Sequence, residues 1–67
     1  MEFIINGETI QVPEHIRTIA DLLDHFQLIE KIVIVEVNAQ IMQKHQYETT
    51  ALCNGDRVEI VHFVGGG

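Results

Sequence analysis

The final stretch of the sequence, Arg57-Val58-Glu59-Ile60-Val61-His62-Phe63-Val64-Gly65-Gly66-Gly67, predicts a β-strand that runs directly into three glycines. Its β-branched residues are typical of strands, and the turn signal Asn54-Gly55 precedes it. Glycine has the widest backbone freedom of all residues, so residues 65–67 are predicted to form a flexible tail on a folded domain of residues 1–64. Fully extended, residues 64–67 would carry the α-carboxylate of Gly67 roughly 13 Å beyond the sheet.

Two interpretations of this tail are open. It is either a frayed end or linker without a function, or a narrow segment that threads its carboxylate into the active site of another protein. The apolar strand meets the glycines without a polar spacer, which favours threading. Gly65 and Gly66 are then the threading residues, and Gly67 carries the reactive group.

Upstream of the strand, the sequence predicts a hairpin followed by a helix. Asn6-Gly7 separates two strand-like segments, residues 2–6 and 9–12, and can adopt the positive φ angles of a tight turn. Thr18 is a predicted helix N-cap, and Asp21 is the matching acid of a capping box. The apolar residues that follow recur at helical spacing and predict one buried stripe: Ile19, Leu22, Leu23 and Phe26.

The middle of the chain predicts a buried strand at residues 32–37. Its first four residues are apolar without alternation, which predicts that both faces are at least partly covered. A short strand at residues 40–42 and an irregular stretch to residue 51 follow, with Tyr47 and Leu52 as predicted anchors. This order predicts an α+β fold, the ubiquitin-like β-grasp, with the first and last strands parallel in the centre of the sheet and the helix on one face.

Strand alternation divides the side chains between the two faces of this sheet. The residues predicted to face the helix are Met1, Phe3, Ile5, Val33, Val35, Val37, Val58 and Ile60. The residues predicted to face outward are Ile4, Ile34, Val61 and Phe63, with Glu36 and Glu59 among them. An exposed apolar patch with acidic residues indicates protein binding. The alternative for Phe63 is that it folds back onto the domain.

Composition limits the function classes. The 67 residues suit one small domain, and ten acids against Arg17, Lys31, Lys44 and Arg57 give a net charge of −6. This charge argues against nucleic acid as a partner and favours basic proteins. A single cysteine and the lack of a long apolar run predict a cytoplasmic protein that binds no membrane, and we expect it to be a monomer when free.

The residues that could carry chemistry are few. No glycine-rich loop leads into Lys-Ser or Lys-Thr, and the four histidines are scattered, so we expect neither a bound cofactor nor a metal. Cys53 is interpreted as a small, partly buried residue; a sulfur-handling thiol is the alternative. The terminal carboxylate becomes acylating only after activation, for example as an acyl-adenylate, and that requires another protein with an ATP site. The sequence therefore predicts a carrier or tag acted on by enzymes, not an enzyme.

Five blocks of the sequence resemble a known family: Phe3-Ile4-Ile5-Asn6-Gly7, Thr18-Ile19-Ala20-Asp21-Leu22-Leu23, Val33-Ile34-Val35-Glu36-Val37-Asn38, Asn54-Gly55-Asp56-Arg57-Val58-Glu59-Ile60-Val61 and Val64-Gly65-Gly66-Gly67. The chain resembles the ThiS family, the sulfur carrier proteins of thiamin thiazole biosynthesis, over essentially its whole length. Residues 43–50 depart most from the family pattern, and Cys53 matches none of its functional positions.

The resemblance implies a specific cycle. A ThiF-type activating enzyme would use ATP and Mg to adenylate the carboxylate of Gly67. Sulfur from a cysteine desulfurase persulfide, direct or relayed, would convert the adenylate to a thiocarboxylate, and a ThiG-type thiazole synthase would consume it. Four alternatives remain open at this point. They are the small subunit of molybdopterin synthase, a sulfur carrier for another pathway, a ubiquitin-like protein tag, and an interaction module whose glycines are inert.

Overall fold

The computed structural model describes residues 1–63, which form a five-stranded sheet with a helix packed on one face. The elements are β1 (Glu2–Ile5), β2 (Glu8–Gln11), α1 (Ile19–His25), β3 (Val33–Val37), β4 (Gln40–Met42), a 3-10 turn (Lys44–Gln46) and β5 (Arg57–His62). Val64, Gly65, Gly66 and Gly67 lie outside the described residues, and with them the predicted tail and domain boundary.

The strand order, β2-β1-β5-β3-β4, places β5 between two antiparallel hairpins. β5 runs parallel to β1, with Ile4 opposite Arg57 and Ile5 opposite Val58. It runs antiparallel to β3 along the whole length of β3, from His62 opposite Val33 to Val58 opposite Val37. This arrangement confirms the predicted β-grasp, including the parallel pair at the centre.

Both hairpins turn through residues with positive φ. Asn6 has φ 50° and Gly7 has φ 84°, as a two-residue turn of the primed type requires. Asn38 and Ala39, between β3 and β4, have φ 50° and 72°. The Asn38 side chain ties its turn to the start of β5, because Oδ1 accepts from the N–H of Arg57 at 3.0 Å.

Helix α1 begins with the predicted capping box. The Thr18 hydroxyl accepts from the N–H of Asp21 at 3.1 Å, and the Asp21 carboxylate accepts from the N–H groups of Arg17 at 2.9 Å and Thr18 at 3.1 Å. These backbone hydrogen bonds, Arg17 first, lower the pKa of Asp21. The helix buries the predicted residues Ile19, Leu22 and Leu23.

The core lies between α1 and the inner face of the sheet. Its buried residues are Phe3, Ile5, Val12, Ile16, Ile19, Leu22, Leu23, Val35, Val37, Leu52, Val58 and Ile60. Met1, Val33, Phe26 and Tyr47 pack against them. All predicted inner-face residues and both anchors are therefore in or against the core. Val12 and Ile16, in the segment between β2 and α1, join it without having been predicted.

The prediction that both faces of residues 32–35 are at least partly covered fails at Ile32. β3 begins at Val33; Ile32 is 74% exposed and Ile34 is 42% exposed. Helix α1 covers only the inner face, and within residues 1–63 the outer face leaves large apolar side chains in solvent. The continuous apolar run therefore has a cause other than two-sided burial.

Candidate functional site: the end of β5 and the outer sheet face

The end of β5 is hydrogen-bonded to its neighbours up to the last described residue. Beyond the end of β1, the side chain of Asn6 forms the hydrogen bonds to β5 that a neighbouring strand would otherwise form. Its Oδ1 accepts from the N–H of Ile60 at 2.8 Å, and its Nδ2 donates to the Ile60 carbonyl at 3.1 Å. On the other side, the N–H of Phe63 donates to the carbonyl of Ile32 at 3.1 Å. Hydrogen bonds therefore hold β5 on both sides as far as Ile60, and on the side of β3 as far as Phe63.

This fixed end limits where Gly67 can reach. Gly67 is the fourth residue after Phe63, so the Cα atoms of the two residues are at most roughly 14 Å apart. An active site that takes up the Gly67 carboxylate must lie within that distance of Phe63. A protein that contains such a site therefore has to come close to the end of β5.

The outer face near this end is apolar. Ile34 lies directly opposite Val61 in the β3–β5 register. Val61 and Phe63 are each 51% exposed. Phe63 is therefore not folded back onto the domain. Ile4 is only half-exposed, between Thr9 on β2 and Arg57 on β5. The structure brings Ile34, Val61 and Phe63 together, while Ile4 lies two strands from Ile34. Their role in binding a partner stays a prediction.

Sequence reasoning missed one member of this face, Ile41 on β4. Ile41 is 61% exposed and lies opposite Glu36, whereas its neighbour Met42 packs against the core opposite Val35. The alternation Gln40-Ile41-Met42 together with the two-residue turn at Asn38-Ala39 contains enough information to place Ile41 outward. Together, Ile34, Ile41, Val61 and Phe63 form what we term the apolar outer patch.

Two carboxylates lie at the edge of the apolar outer patch. Glu36 on β3 is directly opposite Glu59 on β5, and both side chains are half-buried. Neither forms an ion pair with a lysine or arginine within residues 1–63; the ion pair formed there joins the Met1 amino group to Glu14 at 3.3 Å. Like charges directly opposite one another destabilise a sheet.

The remaining chemical groups are dispersed. Cys53 is exposed, so its interpretation as a partly buried residue is wrong; the turn at Asn54-Gly55 holds it at the surface, where its N–H donates to Asp56 Oδ2 at 2.8 Å. Within residues 1–63, no three His, Cys, Asp or Glu side chains are grouped to hold a metal ion. No helix in this part of the chain has the length and apolar character needed to cross a bilayer.

Comparisons with known proteins agree on one family. The model of the ThiS family matches residues 2–67. The sulfur carrier protein ThiS of Bacillus subtilis is 49% identical over 63 residues, which cover 94% of this chain and 96% of that protein. The crystal structure of the thiamine biosynthesis protein ThiS from Geobacter metallireducens superposes with a TM-score of 0.82 at 28% identity and covers all of both chains.

A further relative is much longer than this chain. The thiazole synthase of Paramagnetospirillum magneticum is 37% identical over 67 residues, which cover all of this chain but only 20% of that protein. The chain therefore corresponds to about a fifth of the synthase's length. In that protein, a segment of this kind and the rest of the synthase belong to one polypeptide.

Proposed function

The chain belongs to the ThiS family, and from this membership we infer that it is a sulfur carrier protein of thiamin biosynthesis. The single observation that carries this function is the 49% identity to a ThiS sulfur carrier across nearly the whole length of both proteins. The β-grasp fold alone does not distinguish such a carrier from a molybdopterin-type carrier, a protein tag or an inert module. The family assignment favours the thiamin carrier over these alternatives.

We propose that the α-carboxylate of Gly67 is the group that carries sulfur. A carboxylate is ionised at neutral pH and resists nucleophiles, so it must first be converted to a better acyl donor. A carboxylate oxygen attacks the α-phosphorus of ATP, and pyrophosphate leaves. The terminal sulfur of a persulfide then displaces AMP from the acyl-adenylate to give an acyl disulfide. A thiol reduces its S–S bond, which releases the thiocarboxylate and leaves a disulfide between that thiol and the donor sulfur. The hydrogen-bonded end of β5 supports this role, since Gly67 is the fourth residue after Phe63 and its Cα can lie at most roughly 14 Å from that of Phe63.

The chemistry that the cycle needs is distributed over partner proteins. We propose that a ThiF-type enzyme binds ATP and Mg and forms the adenylate, and that a cysteine desulfurase or a relay protein supplies the sulfur. A ThiG-type thiazole synthase then takes the sulfur from Gly67. The Paramagnetospirillum synthase supports this last partner, because it includes a segment similar to the whole of this chain. We propose that all of these steps take place in the cytoplasm.

We propose that Gly65 and Gly66 thread the carboxylate into these active sites and that the outer face docks the partners. The threading role rests on glycine's lack of a side chain, which lets a segment pass through a narrow channel. The docking role rests on Ile34, Val61 and Phe63, which expose an apolar surface. This surface lies close to the end of β5, where a partner that takes up the Gly67 carboxylate has to approach. Ile4 would extend this surface toward β2.

Intact-mass spectrometry tests the proposed function. The chain is incubated with a ThiF-type enzyme, MgATP, a persulfide donor and a thiol reductant, and we expect one oxygen to be replaced by sulfur, located at Gly67 by fragmentation. A chain amidated at its C-terminus should remain unconverted, whereas Cys53→Ser should be converted at the normal rate. Conversion of the amidated chain, or sulfur found on Cys53, would contradict the proposal.

A further inference from the structure

The hairpin β1–β2 turns at Asn6-Gly7 before β5 ends, and this leaves one edge of β5 open. The N–H of Asn6 donates to the Val58 carbonyl at 3.0 Å, and the Asn6 side chain bonds both backbone groups of Ile60. Backbone groups alternate in direction along a strand, so those of His62 point to the same side as those of Ile60. Within residues 1–63, no group bonds the N–H or the carbonyl of His62.

The opposite edge of β5 is closed by β3. The N–H of Phe63 donates to the carbonyl of Ile32 at 3.1 Å, and β3 runs beside β5 from Val37 to Val33. The backbone of His62 therefore forms a short free edge immediately before the segment that leads to Gly67. An unpaired strand edge is a template for a strand of another chain.

An apolar groove lies beside this free edge, on the inner side of the sheet. It has a volume of about 280 Å³ and lies at the end of α1. Its lining comes from the sheet and from the residues that follow α1: Ile5, Ile10, Ile60, Phe26 and Leu28, with His62 at the rim. The volume is below that of most small-molecule sites, which favours a side chain of another protein as the occupant.

The free edge and the groove suit the same kind of ligand. An extended segment that pairs with His62 places alternate side chains on the inner side of the sheet, where the groove is open. In this mode of recognition, main-chain hydrogen bonds supply affinity and the pocket selects a side chain. The ligand class is therefore a peptide strand with an apolar side chain.

We propose that a thiazole synthase adds an extended segment to the edge of β5 at His62 and inserts an apolar side chain of that segment into the groove. This inference rests on the proposed carrier function. The synthase is the partner because the thiazole synthase of Paramagnetospirillum magneticum contains a segment similar to the whole of this chain. The Cα of Gly67 is at most roughly 14 Å from that of Phe63, so a protein that takes up its carboxylate comes close to this edge.

Hydrogen exchange tests the pairing directly. In the free protein, the amide of His62 should exchange fast, whereas the amide of Phe63, which is bonded to Ile32, should be protected. A saturating amount of the purified thiazole synthase of the same organism should slow exchange at His62 by about tenfold or more. Exchange is stopped with acid and read by mass spectrometry, with fragmentation that resolves single residues.

Two substitutions at one position separate the backbone from the side chain. His62→Pro removes the N–H without breaking a hydrogen bond within residues 1–63, so its melting temperature should stay close to that of His62→Ala. His62→Ala is the matched control, because it removes the same imidazole and keeps the N–H. The synthase should bind His62→Pro about tenfold more weakly than His62→Ala, equivalent to ~1.4 kcal/mol. Ile10→Thr makes the groove more polar and should weaken binding about fivefold.

Several outcomes would overturn the proposal. They are unchanged exchange at His62 in the presence of the synthase, equal affinities of the proline and alanine variants, or protection of His62 by a ThiF-type enzyme but not by the synthase. Protection in the free protein that grows with its concentration would also overturn it, since a second copy of the chain would then be the occupant.

Sulfur loading at Gly67 is measured in parallel by intact mass, which separates this inference from the carrier function. Failure of loading in the unmodified protein contradicts the carrier function. Normal loading with an unprotected His62 amide contradicts only the strand pairing.

Discussion

Replacement of Asn6 by alanine tests how the end of β5 is held. The substitution removes the hydrogen bonds from Nδ2 to the Ile60 carbonyl and from the Ile60 N–H to Oδ1. Each such bond contributes about 1 kcal/mol. Alanine must also adopt the φ of 50° that asparagine tolerates, at a cost of about 1–2 kcal/mol. We therefore expect Asn6→Ala to lower the free energy of unfolding by about 3 kcal/mol, a large share of the stability of so small a domain.

Asn6→Gly separates the two contributions. Glycine adopts positive φ readily, so it removes the backbone strain but leaves the polar groups of Ile60 without their side-chain partner. We expect it to be less destabilising than Asn6→Ala by up to ~1 kcal/mol, because its own greater freedom in the unfolded chain offsets part of the gain. Urea unfolding followed by circular dichroism measures the free energy of unfolding of both variants. The dependence of that free energy on urea concentration should be the same in both.

The two variants together can refute the reasoning. If neither variant differs from the unmodified protein, the bonds between Asn6 and Ile60 do not stabilise the fold. If alanine and glycine cost the same, the positive φ of Asn6 carries no penalty for alanine. A second readout is hydrogen exchange at the Ile60 amide, which should accelerate relative to that of Val35 if Asn6 secures this part of β5.

Four further predictions address the core, the helix cap and the proposed contacts with partners. Leu23→Ala should lower the free energy of unfolding by about 2–5 kcal/mol, because the side chain is fully buried; an unchanged urea midpoint would contradict its placement in the core. The pKa of Asp21 is lowered in the folded state, so its contribution to stability is present above its unfolded pKa and is lost as pH falls through the folded pKa. Asp21→Asn should therefore show a weaker loss of melting temperature on acidification than the unmodified protein. Gly66→Ala should leave the melting temperature unchanged but slow adenylation on the order of a hundredfold, because a small misplacement of the carboxylate is costly; adenylation at the normal rate would exclude threading. Ile4→Ser and Phe63→Ser should each weaken binding to the ThiF-type enzyme with little change in thermal stability, and unaltered affinity in both would exclude the outer sheet face as the docking surface.

The features predicted correctly from the sequence are those that short segments determine. The turn at Asn6-Gly7 depends on the backbone preferences of two residues, and the cap of α1 depends on the spacing of Thr18 and Asp21. Strand alternation placed Ile34 and Val61 on the outer face because period-two geometry fixes the face once one residue is assigned. These elements follow from local physics and needed no knowledge of the rest of the chain.

The features that were missed depend on distant parts of the chain. Whether Ile32 is covered depends on how many layers pack on the sheet, which the residues around it do not encode. Ile16 is buried from a segment without periodicity, so no pattern marked it. The bonds from Asn6 to Ile60 join residues 54 apart, and the opposition of Glu36 and Glu59 depends on strand register. Such relations are set by topology.

The position of β5 in the sheet has a consequence for how the protein is made. β5 is the last of the five strands in chain order, yet it lies between β1 and β3 and joins the two hairpins. During synthesis, the inner edges of the hairpins β1–β2 and β3–β4 stay unpaired until β5 has been made. Pairing of β5 with β1 then closes a long loop, which is a slow step in folding. The segment that leads to Gly67 follows β5 directly, so the residue proposed to carry sulfur is synthesised just after the strand that completes the sheet. A chain terminated before β5 would lack both the central strand of the sheet and this residue.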